Sequence, residues 1–230
     1  MTLASPNPKQ KMHVLFDLDG TLVDTRGAVV ECYTRVFRSK LDSNFPPEEF
    51  PIADLFAMRP AEVFAVVAPD RIDELHAAYR DTYPQCTALI KVFAGIRELI
   101  LDLASAGRKP SVVTNKGLER TLIDLQVANI APEVFAAIVT AEDTVDRKPH
   151  PAPILLGLER AGANVGDAVY VGDGPQDILA ARAAGMDCVA VSYGFYDGSL
   201  LATHTPTVLV DNVAGLAAAL GVAHMSRASQ

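Results

Sequence analysis

Two aspartates with one residue between them, Asp17 and Asp19, close an apolar run in the segment HVLFDLDGTLVDT, residues 13–25. A short apolar strand ending abruptly in carboxylates delivers them to its C-terminal edge, where open α/β sheets bind ligands. Carboxylates this close repel unless a cation lies between them or one keeps its proton. The pair therefore reads as a nucleophile, a proton carrier and a hard metal ion, which is enzyme chemistry. Gly20 turns the chain directly afterwards, and Asp24 and Thr25 are side chains that cap a helix.

Three further segments place reactive residues after predicted strands: Thr114 and Asn115, Lys148 before Pro149, and Asp173 with Asp177. A parallel sheet brings all such strand ends to one rim, so residues far apart in the chain converge. Asp17, Asp19 and Asp173 are expected to bind Mg²⁺, which takes oxygen ligands and keeps several waters. Lys148 is then a fixed charge for a phosphoryl oxygen, and Thr114 offers a hydroxyl. Taken alone, Asp173 and Asp177 would be a charge pair at a helix start, and Lys148 a surface lysine. Their company with the first segment decides for chemistry.

The elements that must carry these residues alternate. Strands are expected at 110–115, 134–140, 168–172, 188–192 and 207–210, with helices at 118–128, through Ala180 and Ala184, and near 213–220. That alternation predicts a parallel sheet with helices on both faces, a Rossmann-like α/β core. The segment 25–87 differs. It shows helical periodicity at Val29, Val30, Tyr33, Val36 and Phe37, a Pro-broken stretch at 45–51, then helices near 52–58, 60–67 and 70–83. No strand is expected there. The division is a core of 12–24 and 88–221, an inserted all-helical cap of 25–87 and flexible tails at 1–11 and 222–230.

The 230 residues are half hydrophobic and carry a net charge of −8. Positive charges are scattered, which excludes a basic nucleic-acid footprint. Cys32, Cys86 and Cys188 are an odd, widely spaced set with no ligand spacing, expected as free thiols in a reducing cytoplasm. The N-terminus is polar and contains proline, unlike a signal peptide or membrane anchor. The partners expected are a small phosphorylated metabolite, with no nucleic acid and no membrane, acting on a monomer or homodimer.

The order and spacing of DLDGTLVDT at 17–25, VVTNKG at 112–117, RKPHPAP at 147–153 and VGDGPQD at 171–177 resemble the haloacid dehalogenase superfamily, in its branch with a helical cap. The likeness spans about residues 12–220, and phosphoglycolate phosphatases are similar in TNK, KP-x-PAP and Ser192-Tyr193-Gly194. It implies that Asp17 attacks phosphorus and forms an aspartyl-phosphate. It implies that Asp19 protonates the leaving alkoxide, later deprotonates water, and gives its backbone carbonyl to Mg²⁺. Asp173 would be the third protein ligand, with Asp177 bracing the ion from behind its ligands or through water. Thr114, Asn115 and Lys148 would hold phosphoryl oxygens. Gly174 stands where many relatives have serine, a position that is not a direct metal ligand.

Asp19 argues against dehalogenases and phosphonate-cleaving relatives, which lack an aspartate there. The expected reaction is Mg²⁺-dependent hydrolysis of 2-phosphoglycolate. Pyrophosphate, a nucleoside monophosphate and a sugar phosphate are the other substrates, and a sugar-phosphate mutase or a non-catalytic binding protein the other classes. Arg59 is the cap residue expected to read a substrate carboxylate, with Lys40, Arg71 and Lys116 as weaker candidates. His150 is expected in a surface turn.

Overall fold

The structure, a computed structural model, describes residues 8–47 and 58–222. The helix expected at 52–58 falls outside these residues except for Met58, as do residues 1–7 and 223–230 of the expected tails.

Strands β1 (His13–Phe16), β4 (Lys109–Val113), β5 (Ile138–Val139), β6 (Ala168–Gly172), β7 (Asp187–Val191) and β8 (Val208–Val210) form one sheet in the order β5-β4-β1-β6-β7-β8. All its pairings are parallel. Every residue of β1 and β6 is buried, the continuous apolar run of a strand covered on both faces. Helices α4 (Ile96–Ser105), α5 (Leu118–Val127), α6 (Ala152–Ala161), α7 (Pro175–Ala183), α8 (Gly198–Thr203) and α9 (Val213–Ala219) surround the sheet. The chain leaves β1 for β4 and β5, then returns to β6 on the other side of β1. The strand order therefore reverses beside β1, the point at which open sheets form a ligand crevice.

Two expectations needed adjustment. The strand expected over 134–140 is reduced to Ile138–Val139, because Pro132–Val134 form a 3-10 turn ahead of it. A second sheet was not foreseen: β2 (Val23–Asp24) pairs antiparallel with β3 (Lys91–Val92). Two-residue strands are too short to show an alternating pattern. Together they tie the start of the helical segment to its end.

Between them lie α1 (Arg26–Val36), a π turn (Phe37–Leu41), α2 (Pro60–Val67), α3 (Ile72–Thr82) and a 3-10 segment (Tyr83–Leu89). All described elements here are helical. Their shared core is aromatic: Tyr33 stacks on Phe45 at 5.0 Å and meets Tyr79 at 4.7 Å, and Phe37 and Phe64 pack around them. Cys32, Cys86 and Cys188 are free and buried.

Residues 8–11, expected within a tail, are packed. Pro8–Gln10 form a 3-10 turn, and buried Lys11 bonds the Gly166 carbonyl at 2.8 Å and pairs with Asp187 at 3.2 Å. A buried ammonium needs such partners, which anchor this end beside β7. No helix among the described residues is long and apolar enough to cross a membrane.

Candidate active site

Asp17 follows β1, Thr114 follows β4 and Asp173 follows β6, so the sheet alone gathers them at one rim. The Asp17 amide continues the strand pairing by donating to the Val171 carbonyl at 2.9 Å. Asp173 occupies a niche that glycines make. Gly20 has φ +78°, and a Cβ there would lie 2.1 Å from Asp173 Oδ2; one on Gly194 would lie 2.5 Å from the same oxygen. A methyl group at either position would drive the carboxylate out. The Phe195 amide donates to Asp173 Oδ2 at 2.7 Å.

Lys148 is the hub of one network. Its buried ammonium donates to Asp177 Oδ1 at 2.7 Å, the Tyr170 hydroxyl at 2.8 Å and the Val113 carbonyl at 3.0 Å. It also lies 2.9 Å from Asp17 Oδ1. That contact is an ion pair without hydrogen-bond alignment, and Asp17 Oδ1 has no hydrogen-bond partner among the described residues. Asp177 Oδ2 accepts from the Gly174 amide at 3.0 Å, so the glycine at this position still supplies the helix-start contact. Asn115, expected to hold a phosphoryl oxygen, is used otherwise here. Its side-chain amide donates to the Lys148 carbonyl and accepts from the Lys148 amide, both at 3.1 Å, fixing the lysine's backbone. Thr114 is buried at the rim, and its hydroxyl accepts from the Lys116 amide at 3.2 Å.

A second network surrounds Asp19. The Thr25 hydroxyl donates to Asp19 Oδ1, and Lys116 Nζ lies 2.7 Å from the same oxygen. Lys116 also bonds buried Asp124 and the Tyr83 hydroxyl, which in turn donates to Asp124 at 2.8 Å. Lys116 was expected as a weaker candidate for reading substrate. Its ammonium is instead engaged between two carboxylates, because a buried charge needs partners and both lie within reach. Lys40 and Arg71 lie away from the site, Arg71 donating to Glu74 at 2.9 Å and to the Lys40 carbonyl at 2.9 Å. Asp24 serves the turn, its side chain accepting from the Arg26 amide at 3.1 Å.

The two aspartates are opposed electrostatically. Burial pushes the Asp17 carboxyl up to about 7, with Asp177 and Asp19 adding repulsion against the pull of Lys148. Burial would also raise Asp19, but Lys116, Thr25 and Arg120 outweigh it and hold that carboxyl below its ordinary value. Burial, with Asp177 and Asp17 nearby, raises Asp173 well above the carboxylate range.

A cavity of about 80 Å³ opens between these strand ends and the helical segment. Its floor includes Asp17, Asp19, Thr114, Lys148 and Asp173, and its helical side includes Val29, Tyr33, Arg59 and Tyr79. Arg59, expected to read substrate, lines this cavity. Its Nε is buried with no hydrogen-bond partner among the described residues, while its backbone amide is capped by Glu62 at 2.8 Å.

The family model described as haloacid dehalogenase-like hydrolase matches residues 14–191, a span that holds both networks. The chain belongs to that family. Among relatives of this haloacid dehalogenase-like hydrolase, the pyrophosphatase PpaX of Bacillus pumilus is 30% identical over 211 residues, covering 90% of this chain and 95% of the relative. PpaX of Anoxybacillus flavithermus is 28% identical, covering 91% and 96%. Among solved structures, CbbY of Rhodobacter sphaeroides in complex with phosphate has a TM-score of 0.79 at 24% identity, covering 92% of this chain and 100% of that one. A Haemophilus somnus chain described as a predicted phosphoglycolate phosphatase has a TM-score of 0.74 at 23% identity, covering 90% and 96%. At these identities the structural likeness is one of fold.

The residues of this hydrolase fit a divalent cation. Carboxylate oxygens of Asp17, Asp173 and Asp177, all buried, lie within 4.8 Å of one another. Three such groups repel, and the single ammonium of Lys148, paired with Asp17 and Asp177, leaves part of that negative charge for a cation to offset. An all-oxygen donor set suits Mg²⁺. Asp177 has both oxygens engaged by Lys148, Tyr170 and Gly174, so it braces the group. The Asp19 side chain is not part of this group; a contribution from its backbone carbonyl is what the family resemblance implies.

Sequence reading missed four contributors. Tyr170 is the lone polar side chain able to bond within the apolar β6, and Asp124 sits with Thr121 and Leu125 on the buried stripe of α5. A carboxylate on an apolar helix face was a readable signal. Tyr83 and the Phe195 amide had none, since only folding brings them to the site.

Proposed function

We propose that this hydrolase cleaves small phosphate compounds through a phospho-aspartate on Asp17, with 2-phosphoglycolate as the substrate expected from the motifs. The observation that carries the reading is the buried group of Asp17, Asp173, Asp177 and Lys148 at the floor of a small cavity. Asp17 is the nucleophile. Lys148, fixed by Asp177, Tyr170 and Asn115, presents its charge to the phosphoryl oxygens, and the Thr114 hydroxyl adds a donor. Mg²⁺ held by Asp17, Asp173 and the Asp19 carbonyl would supply positive charge against the transferring group.

Asp19 carries the proton. Kept ionised by Lys116, it is prepared for the second half-reaction, taking a proton from the water that hydrolyses the intermediate. To act as the acid in the first half it must carry a proton, which requires a weaker hold by Lys116. The helices of 25–87 serve as a cap over a core of 12–24 and 88–221, excluding bulk water while the group transfers. Arg59, at the cap's edge of the cavity, reads the rest of the substrate.

Pyrophosphate is the second reading, favoured by the 30% identity with PpaX over nearly its whole length. Phosphate release with Mg²⁺ from 2-phosphoglycolate, pyrophosphate, a nucleoside monophosphate and a hexose phosphate decides among them, with Asp17→Asn as control. Release from the first two, lost in the control, is the expected result. Release unaffected by Asp17→Asn overturns the mechanism.

A further inference from the structure

The cavity is lined by a cation that no step above employs. Arg120, in the first turn of α5, reaches it beside Asp19 and Lys116. Its guanidinium carbon lies 5.3 Å from the centroid of the Tyr79 ring and 5.7 Å from that of Tyr83. Among the described residues these ring contacts are its near partners; it makes no hydrogen bond or ion pair, and acts on Asp19 only through its charge from farther away. The carboxylates of the region, Asp19 and Asp124, are both bonded to Lys116. A guanidinium does not shed its proton, so one that lines a cavity with no carboxylate hydrogen-bonded to it can still take an anion as partner. The contacts with the tyrosine rings use no N–H in a hydrogen bond, which leaves the guanidinium's donors for the fork that matches a carboxylate or phosphate.

We propose that Arg120 is a specificity residue that binds a second anionic group of the substrate, a carboxylate or distal phosphoryl. The inference rests on the phosphatase reading above and sharpens it: the preferred substrate carries an oxyanion besides the phosphoryl group that Asp17 attacks. Arg59, on the helical side of the same cavity with its Nε unpartnered, is placed to share that group.

The test compares full-length wild type, Arg120→Met and Arg120→Lys, all with Mg²⁺, on 2-phosphoglycolate, pyrophosphate and 2-hydroxyethyl phosphate. The last has the same carbon skeleton as phosphoglycolate and no carboxylate. In Arg120→Met the ratio of kcat/KM for a doubly anionic substrate to that for 2-hydroxyethyl phosphate should fall about 10- to 100-fold, as for a lost charge-assisted bond. Arg120→Lys should fall between, keeping charge and losing the fork. Phosphoglycolate and pyrophosphate, read separately, show which oxyanion is used. An equal loss on all three substrates would mean that Arg120 only supports the tyrosines and Asp19, and would overturn the inference, as would an unchanged ratio. Should Arg120→Met fail to fold by circular dichroism, Arg120→Lys carries the same comparison. If wild type hydrolyses none of the three, the phosphatase reading falls. Calorimetric binding of 2-phosphoglycolate against 2-hydroxyethyl phosphate, in wild type and variant, then decides the role of Arg120 separately.

Discussion

Replacing Lys116 with methionine separates what the Asp19 network does for stability from what it does for catalysis. Lys116 Nζ lies 2.7 Å from Asp19 Oδ1 and bonds the fully buried Asp124. At an effective dielectric near 20, a pair at this distance attracts by about 6 kcal/mol, most of which offsets dehydration of the two ions. Asp19 keeps some contact with solvent, its side chain being 26% exposed, so the larger loss falls on Asp124. Stranding that carboxylate should cost about 3–5 kcal/mol of folding stability. Burial already holds Asp124 above its ordinary value with the lysine present, and without the lysine it must rise further. A carboxyl whose folded pKa exceeds the unfolded one, about 3.9, favours folding below that pH and loses this contribution as pH rises through the folded pKa. Urea melts of Lys116→Met should therefore show the full deficit at pH 8 and a smaller one at pH 5. Adding Asp124→Asn removes the stranded charge and should restore most of the stability. Phosphate release should stay depressed by about 10²–10⁴-fold in both variants, because Asp19 is no longer held. A single variant as stable as wild type at pH 8, or a double variant with wild-type turnover, would refute this account.

Chelation with EDTA should stop phosphate release and Mg²⁺ should restore it. Mg²⁺ at a hundredfold excess over its Kd should also stabilise the protein by about 2.7 kcal/mol, read as a rise in Tm, since it relieves repulsion in the buried carboxylate group. Gly20→Ala places a methyl group against Asp173 and forces a residue with a Cβ to φ +78°. Beyond about 1–2 kcal/mol of backbone cost, it should weaken Mg²⁺ binding in a calorimetric titration. Asn115→Ala frees the backbone of Lys148 and should lower kcat about tenfold or more while leaving KM nearly unchanged, measured by steady-state phosphate release.

What was readable in the chain was chiefly local. An apolar strand ending in Asp17, another ending at Asp173 and a proline after Lys148 are short-range patterns, and a parallel sheet has a topology that sends such ends to one rim. The sheet core and the helices at 60–67, 118–127 and 213–219 were legible because periodicity records which side of an element is buried. The two-residue strands β2 and β3 were not, since their pairing joins Val23 to Val92 across the whole helical segment and leaves no local pattern.

The type and spacing of residues determined the α/β core and marked Asp17, Asp173, Asp177 and Lys148 as candidates for one rim of it. Tertiary structure alone decided which charge meets which. Lys116 reads as a free cation in a list of residues, but packing of α5 against the Tyr83 segment brings it between Asp19 and Asp124. Asn115 reads as a phosphate ligand, and the fold turns its amide onto Lys148. Arg120, with no motif to mark it, lines the cavity because folding sets the start of α5 against Tyr79 and Tyr83. The physical reason is common to all three. Periodicity encodes burial along one element, whereas the pairing of buried charges depends on distances between elements, which exist only once the chain has folded.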